Sequence, residues 1–311
     1  MKIENNFSDV LTEKSLLHPN KIYCHKINGR KITFLELEHY VNKCCRFFEE
    51  TGVGFGEVVN ISIPNSISFI VLYFAGLRSG IKVNPCPSTL AENELIKNIN
   101  FVESKLLITQ KLIDADTIPV NCSYLKFNDD DDFLLQLESY RDDKYEQEIC
   151  PDHIACIYYS SGTTGNTKSV LYSHKNMLSL TKSIVNDFQF LSESIHLGVL
   201  PLGHTAITNY QLLPSLYAGS TLFLADNFNS VRGDIWKIIA DFNITYLQVV
   251  PTILFAMIST PYDDEHVKTN CSLKYVGCGS APLSIESQIN FYNRFNVKVA
   301  NLYGLSETGP S

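Results

Sequence analysis

The segment Tyr158-Tyr159-Ser160-Ser161-Gly162-Thr163-Thr164-Gly165-Asn166-Thr167-Lys168-Ser169 concentrates groups suited to holding an anion. Its two glycines let the backbone turn tightly and bring N–H groups close to a negative charge. The hydroxyls add donors, and Lys168 adds a point charge. On composition alone, an ordinary Ser/Thr/Gly surface loop explains the segment equally well. The sharper comparison is the P-loop of nucleoside triphosphatases, which ends in Gly-Lys-Ser/Thr. Here Thr167 stands before Lys168, so the close turn is missing, and no capped helix starts at Ser169. The P-loop reading fails on both counts.

Three later segments also gather at predicted strand ends: Leu200-Pro201-Leu202-Gly203-His204, Gly277-Cys278-Gly279-Ser280-Ala281-Pro282-Leu283 and Asn301-Leu302-Tyr303-Gly304-Leu305-Ser306-Glu307-Thr308-Gly309. Read singly, they are a structural histidine, a strand-to-helix turn and a surface acid. Together, and in this order, the four segments resemble the motifs of the adenylate-forming superfamily: acyl-CoA synthetases, luciferases and peptide-synthetase adenylation domains. That family's phosphate signature runs Tyr-Ser/Thr-Ser-Gly-Thr-Thr-Gly-x-Pro-Lys-Gly-Val. Tyr159 through Gly165 match it, and Lys168 and Val170 fall in register. Thr167 replaces its proline and Ser169 its glycine. Gly203 replaces the aromatic residue of Pro-Leu-aromatic-His. The opening Thr33-Phe34-Leu35-Glu36-Leu37 is similar to the family's Thr-Tyr-x-Glu-Leu, so the resemblance extends over essentially the whole chain.

The resemblance implies ATP-dependent activation of a carboxylic acid as acyl-adenylate, then transfer to a thiol of coenzyme A or a phosphopantetheine carrier protein. Ser160, Ser161, Gly162, Thr163, Thr164, Gly165 and Lys168 are expected to hold the polyphosphate. Gly279, Ser280, Ala281, Pro282, Asn301, Tyr303 and Gly304 are expected around the nucleotide. Ser306 would donate to the α-phosphate and Glu307 would bind Mg²⁺. His204, with Gly203, Cys278 and Gly279, would border the acid, so Lys168, His204, Ser306 and Glu307 form the expected catalytic set. Amino-acid-activating members carry an aspartate soon after the histidine position. Thr205-Ala206-Ile207-Thr208 supplies none, which favours a fatty or aryl acid. Tyr246-Leu247-Gln248-Val249-Val250-Pro251-Thr252 likewise looks more like acyl- and coumarate-CoA ligases. The family continues past Ser311 with a ribose-binding aspartate, a hinge and a mobile domain bearing the adenylation lysine. This implies a fragment or a natural truncation, impaired on its own. The competing expectation is a non-catalytic nucleotide- or acyl-binding module, or a half that needs a C-terminal partner.

Positioning these groups falls to an alternation of strand and helix patterns. A capping box at Thr33 and Glu36 opens a helix whose apolar residues Leu37, Val41, Cys44 and Phe48 recur at helical spacing before Gly52. Strands are predicted at Val58–Ile63, Ile81–Asn84, Leu106–Thr109, Ile154–Tyr159, Leu197–Leu200, Thr221–Ala225, Tyr246–Val250, Lys274–Cys278 and Val297–Leu302. Helices are predicted at Ser66–Ser79, Glu92–Asn100, Ser173–Phe188 and Ser284–Phe295. Near-continuous apolar strands between helices mean parallel sheets covered on both faces. The expected fold is α/β, with two helix-covered, mainly parallel sheets and a division at 150/151. Asn128–Pro151, with four aspartates in a row, reads as a solvated connection holding one short helix.

Bulk composition sets the exclusions. Hydrophobic residues make up 45% and charged residues 19% of 311 residues, which is a folding rather than a disordered composition. The net charge of −8, without a basic run, argues against nucleic-acid or anionic-membrane surfaces. Nine cysteines without CxxC spacing read as buried free thiols in a reducing compartment. No apolar stretch reaches the length of a membrane span, and the N-terminus lacks a signal-peptide core. A cytoplasmic protein is expected.

Overall fold

The computed structural model describes residues 6–160, 168–305, 307 and 309–310. Two compact units emerge, interleaved in sequence. One contains residues up to Ile22, Ile32–Ser179 and Pro201–Thr205; the other contains Tyr23–Lys31, Leu180–Leu200 and the residues from Ala206 onward. The division therefore does not fall at 150/151. Strand Ile154–Ser160 joins the first unit because it pairs with Lys82–Pro85 through Val83 and Cys156.

The first unit is built on a six-stranded sheet in the order Ser123–Lys126, Leu106–Thr109, Val58–Ser62, Lys82–Pro85, Ile154–Ser160, Lys168–Ser173. The pairings are parallel except the last, which is antiparallel and makes the sheet mixed. That last strand was not expected. Its residues Lys168, Ser169 and Leu171 are exposed, so burial marks only its end at Tyr172 and Ser173.

Helix Ile67–Ser79 is buried at every position, as a hydrophobic-all-round sequence requires. Its N-terminus is closed by Ser66, whose Oγ accepts from Phe69 N–H at 3.1 Å. The Asp130 carboxylate accepts from the Ile67 and Ser68 N–H groups at 3.0 and 2.9 Å. The aspartate run expected to be only solvated thus supplies a helix cap, where its charge also suits the helix dipole. The short helix within it, Asp130–Leu137, buries Phe133, Leu134 and Leu137. Helix Phe34–Glu50 begins with the Thr33–Glu36 capping box read from the sequence.

The second unit is built on the strands Lys298–Asn301, Tyr275–Cys278, Tyr246–Val249, Ile195–Gly198, Thr221–Leu224 and Ile22–Lys26, neighbours in that order in one sheet. Strand Ile195–Gly198 ends two residues before the expected Leu200. Its ladder with Thr221–Leu224 closes at Gly198, while Val199 and Leu200 stay buried beyond it. An apolar run marks burial, and here burial outlasts the strand. Helix Ile285–Phe295 starts at Ser284, which caps it as expected. All nine cysteines are free, and Cys150 alone among them is exposed.

Candidate functional site

The phosphate segment lies on a hairpin of the first unit. Its flanking strands close at the pair Ser160 and Lys168, with Tyr159 opposite Ser169. Lys168 is exposed at the start of its strand, so its flexible ammonium is open to an anion. Ser161, Gly162, Thr163, Thr164 and Gly165 lie outside the described residues, as does the side chain of Ser160.

His204 belongs to the same unit, on the turn Pro201–Thr205. Its backbone N–H donates to Pro201 O at 3.0 Å, and its side chain keeps an exposed edge. Desolvation by the surrounding protein lowers its pKa below the usual histidine value, favouring the neutral imidazole. A neutral ring can border a carboxylic acid by hydrogen bonding and shape without adding charge.

The second unit brings the other two motifs together. Strands Tyr275–Cys278 and Lys298–Asn301 run parallel with Cys278 opposite Asn301, so both motifs leave the sheet at the same carboxyl edge. There Leu302 N–H donates to Cys278 O at 2.8 Å, and Gly279 N–H to Val249 O at 3.3 Å. A Cβ on Gly279 would stand 2.9 Å from Leu302 O, so only glycine lets the two backbones lie this close. Ser280 follows in the left-handed region at φ 71°, a costly conformation for a side-chain-bearing residue that recurs at binding loops. Ser280, Ala281 and Pro282 are exposed, and so is the Tyr303 ring at 66%. A cleared backbone ledge beside an exposed aromatic face is suited to a flat heterocycle.

Asn301 is exposed at the strand end, whereas Cys278 is buried, with its thiol pushed up to about 12 by burial. Cys278 can therefore offer a ligand its backbone but not its side chain. Gly304 starts a two-stranded antiparallel ladder with Pro310, and Glu307 sits exposed in the turn between the strands. Ser306 lies outside the described residues.

Sequence reading missed the residues that support these turns. Asn65 accepts from Leu202 N–H at 2.7 Å. Tyr246 donates to Gln248 Oε1 beneath Gly277, whose missing side chain leaves room for the pair. Asn65 carries no local signal, because its partner Leu202 lies 137 residues away. Among the described residues, no group of three or more His, Cys, Asp or Glu side chains is placed to hold a metal, and no helix is long and apolar enough to cross a membrane.

The family model for AMP-binding enzymes matches residues 11–311. The chain is 26% identical to 4-coumarate–CoA ligase 2 of Nicotiana tabacum over 304 residues, covering 91% of this chain and 54% of that protein. It is 27% identical to the peroxisomal OPC-8:0-CoA ligase 1 of Arabidopsis thaliana over 293 residues, covering 90% of this chain and 53% of that protein. The chain thus spans about half the length of these curated relatives. Its fold is that of ATP-bound MatB from Rhodopseudomonas palustris, with a TM-score of 0.86 at 22% identity over 98% of this chain and 61% of that one.

Proposed function

This chain belongs to the AMP-binding enzyme family, and from that premise we propose that it binds ATP and activates a fatty or aryl carboxylic acid as its acyl-adenylate, for transfer to a thiol. The observation that supports this most strongly is the shared carboxyl edge at Cys278 and Asn301. There Gly279 lets backbone approach backbone beside an exposed Tyr303. Ligands of open α/β sheets bind outside the carboxyl ends of strands, and both motifs emerge there. Adenine would lie on the Gly279–Ala281 backbone and the Tyr303 ring.

Attack of a carboxylate on the α-phosphate brings two anions together, so positioning and charge neutralisation must carry the rate. Lys168 and the loop it closes would hold the departing pyrophosphate, Ser306 would donate to the α-phosphate, and His204 would border the acid. One exposed carboxylate such as Glu307 does not by itself make a metal cage. It does suit Mg²⁺, which keeps most of its waters and shares the remaining positions between one or two carboxylates and substrate phosphates. When bound, that ion would neutralise charge on the phosphate oxygens. The absence of an aspartate in Thr205–Thr208 supports a non-amino acid substrate. The curated relatives, named as CoA ligases, favour coenzyme A over a carrier pantetheine as acceptor, and the composition supports a cytoplasmic setting.

The test is ATP–pyrophosphate exchange with a panel of fatty and aryl acids including octanoate and 4-coumarate. Exchange that requires an acid is expected once the family's C-terminal domain is supplied alongside the chain. ATP binding without exchange for any acid, even with that domain supplied, would instead favour a nucleotide-binding module.

A further inference from the structure

His204 is preceded by a residue that cannot carry a side chain. A Cβ on Gly203 would fall 2.5 Å from Cys86 C, 2.6 Å from Cys86 O and 2.6 Å from Pro87 N. These are backbone atoms and have little freedom to give, since Cys86 N–H is itself bonded to Ile61 O at 2.8 Å on the neighbouring strand. The turn therefore lies directly on the carboxyl end of the first unit's sheet. One residue earlier, Leu202 is buried and donates its N–H to Asn65 Oδ1 at 2.7 Å, across 137 residues of sequence. Asn65 is only 3% exposed. It stands just before Ser66, whose helix is closed by both Ser66 and Asp130, so the acceptor is on a fixed element.

Resting on the acid-activation reading above, we propose that Asn65 is a positioning residue for His204. It fixes the Pro201–His204 turn by accepting the Leu202 N–H while the bare Gly203 seats the turn on Cys86–Pro87. The two restraints act from different elements. A hydrogen bond sets the height of the turn, and a close backbone contact stops it from rotating. A turn bonded only within itself, through His204 N–H to Pro201 O, could pivot as a unit. Misplacing a substrate-bordering group by about 1 Å can cost on the order of 10²-fold in rate. A buried N–H left without its acceptor gives the turn reason to move toward solvent.

The experiment compares Asn65→Ala, His204→Ala and the double variant with the unaltered chain in ATP–pyrophosphate exchange, using 4-coumarate and octanoate as probes. Asn65→Ala is expected to raise the KM for the acid about tenfold or more while the KM for ATP stays within about twofold. In the His204→Ala background the same change should add almost nothing, because the group it positions is gone. Full additivity, or equal losses for acid and ATP, would show that Asn65 merely supports folding.

The NMR signal of the His204 ring, followed through a pH titration, supplies a readout independent of turnover. In both Asn65→Ala and Gly203→Ala it should shift and titrate at higher pH as the ring moves into solvent. An unchanged ring signal in a folded Asn65→Ala variant would overturn the proposal. If no exchange is seen even with the family's C-terminal domain supplied, the acid-activation reading fails, and the ring signal still decides whether Asn65 positions His204.

Discussion

Arg78 and Tyr246 are fully buried side chains with polar ends, one in each compact unit, and they are satisfied in opposite ways. Arg78 sits in a network of directed bonds: to Glu38 at 2.7 and 3.0 Å, Asn42 at 2.6 Å, Ser8 at 2.9 Å and Thr12 at 3.2 Å. It ties together helices Phe7–Leu17, Phe34–Glu50 and Ile67–Ser79. The same unit buries Asn60 against Asn98 at 2.8 Å and Tyr73 against Tyr158 at 3.2 Å. Tyr246 makes one side-chain bond, to Gln248, and is otherwise enclosed by rings: Phe188, Phe190, His196 and Tyr275, with centroids 4.9–5.7 Å away. The contrast teaches where each unit is vulnerable. Directed networks fail when one partner is removed, whereas aromatic clusters fail when volume is removed.

The largest effects should expose that difference. Glu38→Ala leaves the Arg78 guanidinium buried without its carboxylate, and a loss of about 3–5 kcal/mol is expected in denaturant unfolding. Tyr246→Ala should cost a similar amount, about 3–5 kcal/mol, through the cavity it leaves. Tyr246→Phe should cost only about 1 kcal/mol, that of one hydrogen bond. If Tyr246→Phe is as harmful as Tyr246→Ala, the second unit is also held by directed bonds, and the contrast collapses.

An effect shared by both units sharpens the comparison through pH. His174 in the first unit is lowered to about 4 by burial and by the nearby His153, and His196 in the second is lowered to about 3 by burial. Both ring nitrogens of His174 and Nδ1 of His196 lack a hydrogen-bond partner among the described residues, which suits neutral rings. The unfolded chain takes up these protons near pH 6.5, while the folded chain refuses them until much lower pH. Stability from this source is therefore complete above about pH 6.5 and falls as pH drops toward 4, at up to about 1.4 kcal/mol per pH unit for each histidine. Unfolding midpoints measured from pH 7 to 4.5 should show this slope, reduced by one proton in His174→Leu. A slope that His174→Leu leaves unaltered would mean that ring is already protonated in the fold.

How far the sequence could be read follows from the same physics. Leu106–Thr109 is a strand as expected, and the helix starts at Thr33 and Ser284 lie where their caps indicated, because these signals are local. Strand Lys168–Ser173 was hard to see because Lys168, Ser169 and Leu171 are exposed and only its end, at Tyr172 and Ser173, is buried. Strand Ile22–Lys26 escaped notice because its parallel partner is Thr221–Leu224, far away in sequence. For the proposed site, the place of Gly279 and Tyr303 just after strands was legible from their order. Their juxtaposition needed the Cys278–Asn301 pairing to become visible. Asn65 was not legible at all, since nothing near it in sequence hints at Leu202.

We propose that Lys168 contacts the polyphosphate of ATP and that Glu307 binds the accompanying Mg²⁺. The most direct measurement is the affinity of the folded chain for ATP and for AMP, with Mg²⁺ present, before and after Lys168→Ala and Glu307→Gln. A charge-assisted contact is worth about 1.5–3 kcal/mol, so ATP should weaken by roughly tenfold to hundredfold in each variant. AMP, which lacks the β- and γ-phosphates, should change much less. Equal losses for ATP and AMP, or none for either, would contradict the assignment.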